Sequence, residues 1–361
     1  MRVCYFDDAD GGGHHQGYIS GLIEATLRSG SYALAACPKR PEVPGVEWFQ
    51  VSRWDRSQMI RSRRQMRAVV ATCRAKQVDT FVDLNFDRNV WLLPGAVKRL
   101  ERRIHVLHHA TQYAFSNREA TGKIRTVVLR RYLQHLAGRG DLIVTHTGRA
   151  TEILAEIIPT SAILQLPYPV RVVQIANQPH QESTIPVLLF VGQARREKGL
   201  SDLLAAMQLL HRDAIVRVVG PQRQEVKSDL TQQSPGISID WIDAFVSDAE
   251  LSSNFHAASL VVTPYRNSFA RNGGASGVLL DTLAHGKPLL TTDALADQLP
   301  VGYSGAVVTR AEDPTSLAEG LEHSLQNLAR LTREAATNGP AFIADHHPFD
   351  AYVEKLLDAT G

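Results

Sequence analysis

Short apolar runs alternate along this chain with longer stretches in which apolar residues recur every three or four positions. Residues 2–6, 32–37, 80–84, 103–107 and 142–145 are too short for helices and read as buried strands, while 18–27, 59–76, 90–100 and 148–157 carry helical spacing. Strands and helices in strict alternation predict parallel sheets with helices on both faces. A proline-rich stretch, Leu166-Pro167-Tyr168-Pro169-Val170, and a polar run over 177–184 then interrupt the series, which resumes from Pro186 to about Ala311. The expected organisation is α/β with two Rossmann-like domains, at residues 1–172 and 185–340. A last helix, with Tyr352, Leu356 and Leu357 on one face, covers about 346–361.

The resumed series opens on the most informative segment. Leu188 to Val191 form a strand, Leu200, Leu203, Leu204, Met207 and Leu210 form a helix, and Gly192, Gln193, Arg195, Arg196 and Lys198 lie between them. Cations at the mouth of a helix, where free N–H groups already favour negative charge, suit a phosphate. A solvated basic loop is the plain alternative. A second junction of the same kind follows: a strand ending at Pro264, a loop over 265–274, and a helix opened by Ser276 as N-cap with Gly277 behind it. Asp281 lies about one turn into that helix. Two such junctions in one domain predict a diphosphate held from both sides.

These motifs, in this order, resemble the retaining nucleotide-sugar glycosyltransferases of family 4, which have the GT-B architecture of two Rossmann-like domains with a cleft between them. Phe190-Val191-Gly192, Glu197-Lys198-Gly199, Pro264 and Gly286-Lys287-Pro288 match the family pattern, as does the stretch from Trp241 to Leu251. The likeness covers roughly 186–320 and is weak over the first half. It implies transfer of a sugar from a nucleotide diphosphate donor to a hydroxyl acceptor with retention, without a metal and with no cofactor beyond the donor. Arg195, Lys198, Arg196 and Gln193 would face the diphosphate together with the amides near Gly274, Ser276 and Gly277. Phe245 and Val246 would pack near the base, and Asp281 would bond the ribose. The last helix would cross back to the first domain. Two positions depart from the pattern: Gln193 stands where the family has arginine, and Gly273 stands where it has the first of two carboxylates.

In the first half, the loop over 7–17 follows the first strand and contains Gly11, Gly12, Gly13, His14 and His15. It lacks the spacing of a dinucleotide fingerprint; the resemblance implies that Gly12, Gly13 and His14 face donor and acceptor. His14 and His15 have no partner cluster of metal-ligand spacing. His108 and His109 end the strand over 103–107, and the resemblance places His108 beside the transferred sugar, with His109 as the fallback. Thr145-His146-Thr147 ends the next strand at the same edge and would line an acceptor pocket.

With 361 residues, 44% apolar and 21% charged, the chain has enough material for two ordinary cores. Three cysteines without ligand spacing give neither a disulfide framework nor a metal site, and nowhere do 18 apolar residues follow one another, so the expectation is a cytoplasmic protein. The net charge of +2 conceals an asymmetry: Lys and Arg exceed Asp and Glu in residues 1–180, and the reverse holds beyond. The basic residues cluster, as in Arg61, Arg63, Arg64 and Arg67, which predicts an anionic or lipid-linked acceptor and peripheral association with a membrane inner face. No nucleic-acid-binding motif accompanies the charge. An epimerase or a sugar phosphorylase of the same architecture, or a catalytically silent binding protein in a glycan pathway, are the competing classes.

Overall fold

The computed structural model of the chain describes residues 1–8, 15–52, 59–89, 100–110, 113, 120–173, 185–193, 195–210, 213–221 and 238–359. The chain divides into two compact units: Met1–Pro169 with Asn272–Ala275 and Phe349–Gly361, and Val170–Arg271 with Ser276–Pro348.

The first unit is built on seven parallel strands: β1 (Arg2–Phe6), β2 (Tyr32–Cys37), β3 (Glu47–Gln50), β4 (Thr80–Asp83), β5 (Arg102–Leu107), β6 (Leu142–Thr145) and β7 (Ile163–Gln165). Their order across the sheet is β3-β2-β1-β4-β5-β6-β7. Alternate residues along β1 feed two cores, because successive side chains of a strand point to opposite faces. Cys4 and Phe6 join Met66, Val69, Val70 and Cys73 of helix Met59–Ala75 and Leu129, Leu133 and Leu136 of helix Ala120–Ala137. Val3 and Tyr5 join Tyr18, Ile19, Leu22 and Ile23 of helix His15–Arg28 and the apolar face of helix Phe349–Asp358. These two helices meet closely: a Cβ on Gly21 would stand 2.5 Å from the Phe349 ring. Arg28 pairs with Asp350 at 2.7 Å, and the Tyr18 and Tyr352 hydroxyls are 3.1 Å apart.

A buried charge network ties the middle of this sheet. His105 Nε2 lies 3.1 Å from Asp141 and Nδ1 lies 3.8 Å from Asp83, while Arg103 Nε donates to Asp141 at 2.7 Å. Burial pulls the His105 pKa down, but Asp141 and Asp83 outweigh it and leave the imidazole raised above its ordinary value. Buried ions of this kind persist only when paired.

The second unit carries β8 (Val187–Val191), β9 (Ile215–Val219), β10 (Ser238–Ile242), β11 (Leu260–Thr263), β12 (Leu289–Thr292) and β13 (Ala306–Thr309), ordered β10-β9-β8-β11-β12-β13 and all parallel. Leu188, Phe190, Val216, Val218, Leu260 and Val262 pack on one face against helix Leu200–Leu209 and helix Pro314–Gln326. Helix Gly277–Ala284 lies against helix Leu328–His346, where a Cβ on Gly339 would stand 2.5 Å from the Leu283 carbonyl oxygen. Each large apolar side chain buried this way contributes about 1.5–3 kcal/mol.

Strand order reverses at one place in each sheet. In the first unit β1 is followed in space by β2 on one side and β4 on the other; in the second, β8 lies between β9 and β11. The crevice outside the carboxyl ends of the strands at such a reversal is where open α/β sheets bind ligands.

Candidate functional site

The two loops singled out from the sequence leave β8 and β11, the adjacent strands at the reversal in the second unit. Glycines shape the first of them. Gly192 has φ 104° and donates its N–H to the Val219 carbonyl at 2.7 Å. Its missing side chain leaves room for Lys198, whose Nζ would stand 2.5 Å from a Cβ there. Gly220 (φ 135°) sits so close to Gly192 that a Cβ would come within 2.8 Å of its backbone. Lys198 is thereby folded back over its own loop, with Nζ 5.5 Å from the centre of the Tyr265 ring. Residues Arg196–Lys198 form one 3-10 turn, and Gly199 at φ 70° converts it into helix Leu200–Leu209.

The cations of this loop are differently engaged. Arg195 pairs with Glu197 at 3.2 Å, Arg196 is exposed, and Lys198 is half-buried. Gln193 is exposed, and its carbonyl accepts the Arg195 N–H at 2.9 Å.

At the second loop, the Ser276 hydroxyl accepts the Leu279 N–H at 3.3 Å, the N-cap bond expected from the sequence. The Ser276 amide itself donates to Gln298 at 2.8 Å. The amides of Gly277 and Val278, in the first turn of the helix, have no acceptor among the described residues. They are the donors this helix start can offer an anion. Asp281 is half-buried one turn further on, and its main-chain oxygen accepts from the His285 ring at 2.7 Å. Phe245 is 68% exposed, and Val246 is half-buried beside it, ahead of helix Asp248–Ala257, which Ser247 and Glu250 close with a capping box.

Asn272–Ala275 belongs to the first unit, because Ala110 N–H donates to the Asn272 carbonyl at 3.1 Å and the Thr147 hydroxyl donates to the Gly273 carbonyl at 2.7 Å. Gly273 has φ 68°, and a Cβ there would stand 2.9 Å from the Ala150 nitrogen.

In the first unit His108 ends β5, where its Nε2 donates to the Leu84 carbonyl at 2.8 Å. Its ring lies 5.9 Å from Tyr18, 5.4 Å from His146 and 6.1 Å from Tyr168, so it is part of an aromatic cluster. The backbone of the next residue, His109, donates to Asp87 at 2.8 Å. Burial pushes the Asp87 carboxyl up to about 8, against the backbone N–H bonds that favour its anion. Asp87 was silent in the sequence; only its place after β4, at the reversal in the sheet, marks it. Gly12, Gly13 and His14 lie outside the described residues. No group of three or more potential metal ligands occurs among the described residues.

Residues 185–327 match the family model for glycosyl transferases group 1. The whole chain superposes on solved structures of low identity. These include sucrose-phosphate synthase from Thermosynechococcus elongatus (TM-score 0.75, 15% identity, 99% of this chain and 97% of that chain). HepE from Anabaena, solved with UDP-glucose, gives 0.74 at 13% identity over 99% and 100% of the two chains. WaaG, a glycosyltransferase involved in lipopolysaccharide biosynthesis, gives 0.70 at 15% over 99% of each. No curated protein matches the chain. The chain has the GT-B fold, and the family match is confined to residues 185–327, almost all of them in its second unit.

Proposed function

We propose that the chain transfers a sugar from a nucleotide diphosphate donor to a hydroxyl acceptor with retention at the anomeric carbon. The observation that carries this reading is the pair of loops at the β8/β11 reversal. One presents Lys198, held between Gly192 and Tyr265; the other presents the amides of Gly277 and Val278. HepE, the relative of like fold solved with UDP-glucose, supports a nucleotide-sugar donor. As the bond to the sugar breaks, negative charge grows on the leaving diphosphate. Groups placed to hold that charge lower the barrier by binding the transition state more tightly than the ground state. Lys198 and Arg196 supply positive charge and the helix start supplies dipoles, so this reading calls for no metal. Arg195, already paired with Glu197, contributes less. His108 serves the sugar side, Asp281 the ribose, and Phe245 with Val246 the base. Retention follows if the acceptor attacks on the face the diphosphate leaves, with a leaving-group oxygen taking its proton.

The test is nucleotide binding. A melting-temperature screen of UDP, GDP, ADP, CDP and dTDP should single out a base, since a ligand that binds only the folded state stabilises it by mass action. Lys198→Ala should then weaken binding of that nucleotide by about 10–100-fold in calorimetry, the value of one charge-assisted phosphate contact. Arg195→Ala with Arg196→Ala should have a smaller effect. Affinity of Lys198→Ala within twofold of wild type would remove the diphosphate assignment.

The acceptor belongs to the basic first unit. Arg63, Arg64 and Arg67 are exposed on helix Met59–Ala75, and helix Ala120–Ala137, on the same side of the sheet, exposes Ile124, Val127 and Val128 beside Arg125 and Arg131. Cations with apolar side chains among them suit an anionic bilayer surface. Binding to phosphatidylglycerol-containing vesicles should exceed binding to pure phosphatidylcholine vesicles and fall as salt rises. Exchange of Arg61, Arg63, Arg64 and Arg67 for glutamine should lower it without changing nucleotide affinity. Equal binding to both vesicle types would point to a water-soluble acceptor.

A further inference from the structure

The two phosphate-facing loops are tied together by one residue that the family pattern does not assign. Arg266 follows Pro264-Tyr265 in the loop after β11. Its Nε and Nη2 donate to the two oxygens of Asp202 at 2.7 and 2.6 Å, and Nη2 also donates to the Ser201 hydroxyl at 3.1 Å. Ser201 and Asp202 lie in the first turn of helix Leu200–Leu209. The Arg266 main-chain N–H donates to the Glu197 carbonyl at 2.9 Å, inside the 3-10 turn that carries Lys198. A single residue of the second loop thus grips both the backbone of the first loop and the helix that follows it. Next in sequence, Asn267 donates to Glu312 at 3.0 Å and extends the tie to the loop after β13.

We propose that Arg266 is a positioning residue of the donor site, setting the distance between Lys198 on one loop and the helix-start amides on the other. The inference rests on the donor-site reading above. A diphosphate that contacts both loops is held well only if their separation is fixed to a fraction of an ångström, and a bidentate guanidinium–carboxylate fork fixes it in distance and angle. The guanidinium is spent on Asp202 and Ser201, so Arg266 acts on the phosphates through Lys198. Lysine in its place keeps the charge and loses the fork.

The experiment compares wild type, Arg266→Lys, Arg266→Ala and Asp202→Asn, each with and without Lys198→Ala. The ligands are the nucleoside diphosphate selected by the melting screen and the corresponding monophosphate. Arg266→Lys and Asp202→Asn should each weaken diphosphate binding by ~10-fold and monophosphate binding less than ~2-fold, and their effects should not add to that of Lys198→Ala. A purely structural tie would weaken both ligands alike and add to Lys198→Ala, and that result overturns the proposal. Should Arg266→Ala fail to fold, the two conservative variants decide the matter. If wild type binds none of the five diphosphates, the donor-site reading falls and takes this inference with it. If wild type binds and the Arg266 and Asp202 variants bind equally well, the positioning role alone falls.

Discussion

Replacing Gly199 by alanine is expected to abolish nucleotide binding and to destabilise the second unit by about 3–5 kcal/mol. Gly199 adopts φ 70° at the point where the 3-10 turn becomes helix Leu200–Leu209. A residue with a Cβ costs about 1–2 kcal/mol in that conformation even with free space around it. Here there is none: the Cβ would overlap the Pro264 carbonyl oxygen and stand 2.9 Å from its carbon. Both are backbone atoms of a loop held at β11, so one of the two loops must move away from the other. Urea denaturation with calorimetry on the same variant measures both effects. A Gly199→Ala protein with wild-type stability and affinity would show that the close approach of the two loops is irrelevant to binding.

Placing a carboxylate at Gly273, where the resembled family 4 pattern has one, is expected to lower the proposed sugar transfer by about 100-fold, the scale of a 1 Å misplacement. On the family pattern alone, Gly273→Glu would look like a repair. The backbone argues otherwise. Gly273 has φ 68°, its carbonyl accepts the Thr147 hydroxyl at 2.7 Å, and a Cβ would stand 2.9 Å from the nitrogen and 3.0 Å from the Cα of Ala150. Any side chain there pushes Asn272–Ala275 off the start of helix Gly148–Ala155. Gly273→Ala, which adds the collision without the charge, should lose activity to a similar degree. A gain in turnover for Gly273→Glu with an unchanged Gly273→Ala would mean that this chain lacks only the carboxylate.

These two glycines also mark the limits of sequence reading. Strands such as β1 and β8 are legible because continuous apolar runs of their length have no other use in an α/β chain, and the Ser276 cap is legible because its partner, Leu279, is three residues away. β3, with the sequence Glu-Trp-Phe-Gln at the sheet edge, was not, because a short, half-exposed strand has no period to detect. Helix Ala120–Ala137 escaped for a related reason: Ile124, Val127 and Val128 face outward among arginines and blur its amphipathic pattern. The motif around Lys198 could be read, but the direction of its side chain depends on Gly192 and Tyr265, brought together by the pairing of β8 with β11. Arg266 and Asp202 lie 64 positions apart, and nothing in local spacing joins them.

The helix Phe349–Asp358 seals one core of the first unit against Gly21, Tyr18 and Arg28, although almost all of the second unit separates it from that core in the chain. The first unit is therefore discontinuous, and its apolar face over Tyr18, Leu22 and Ile23 lacks its cover until the last helix has left the ribosome. Synthesis reverses the order of the numbering: the second unit has its whole core in hand while the first is still waiting for the helix Phe349–Asp358.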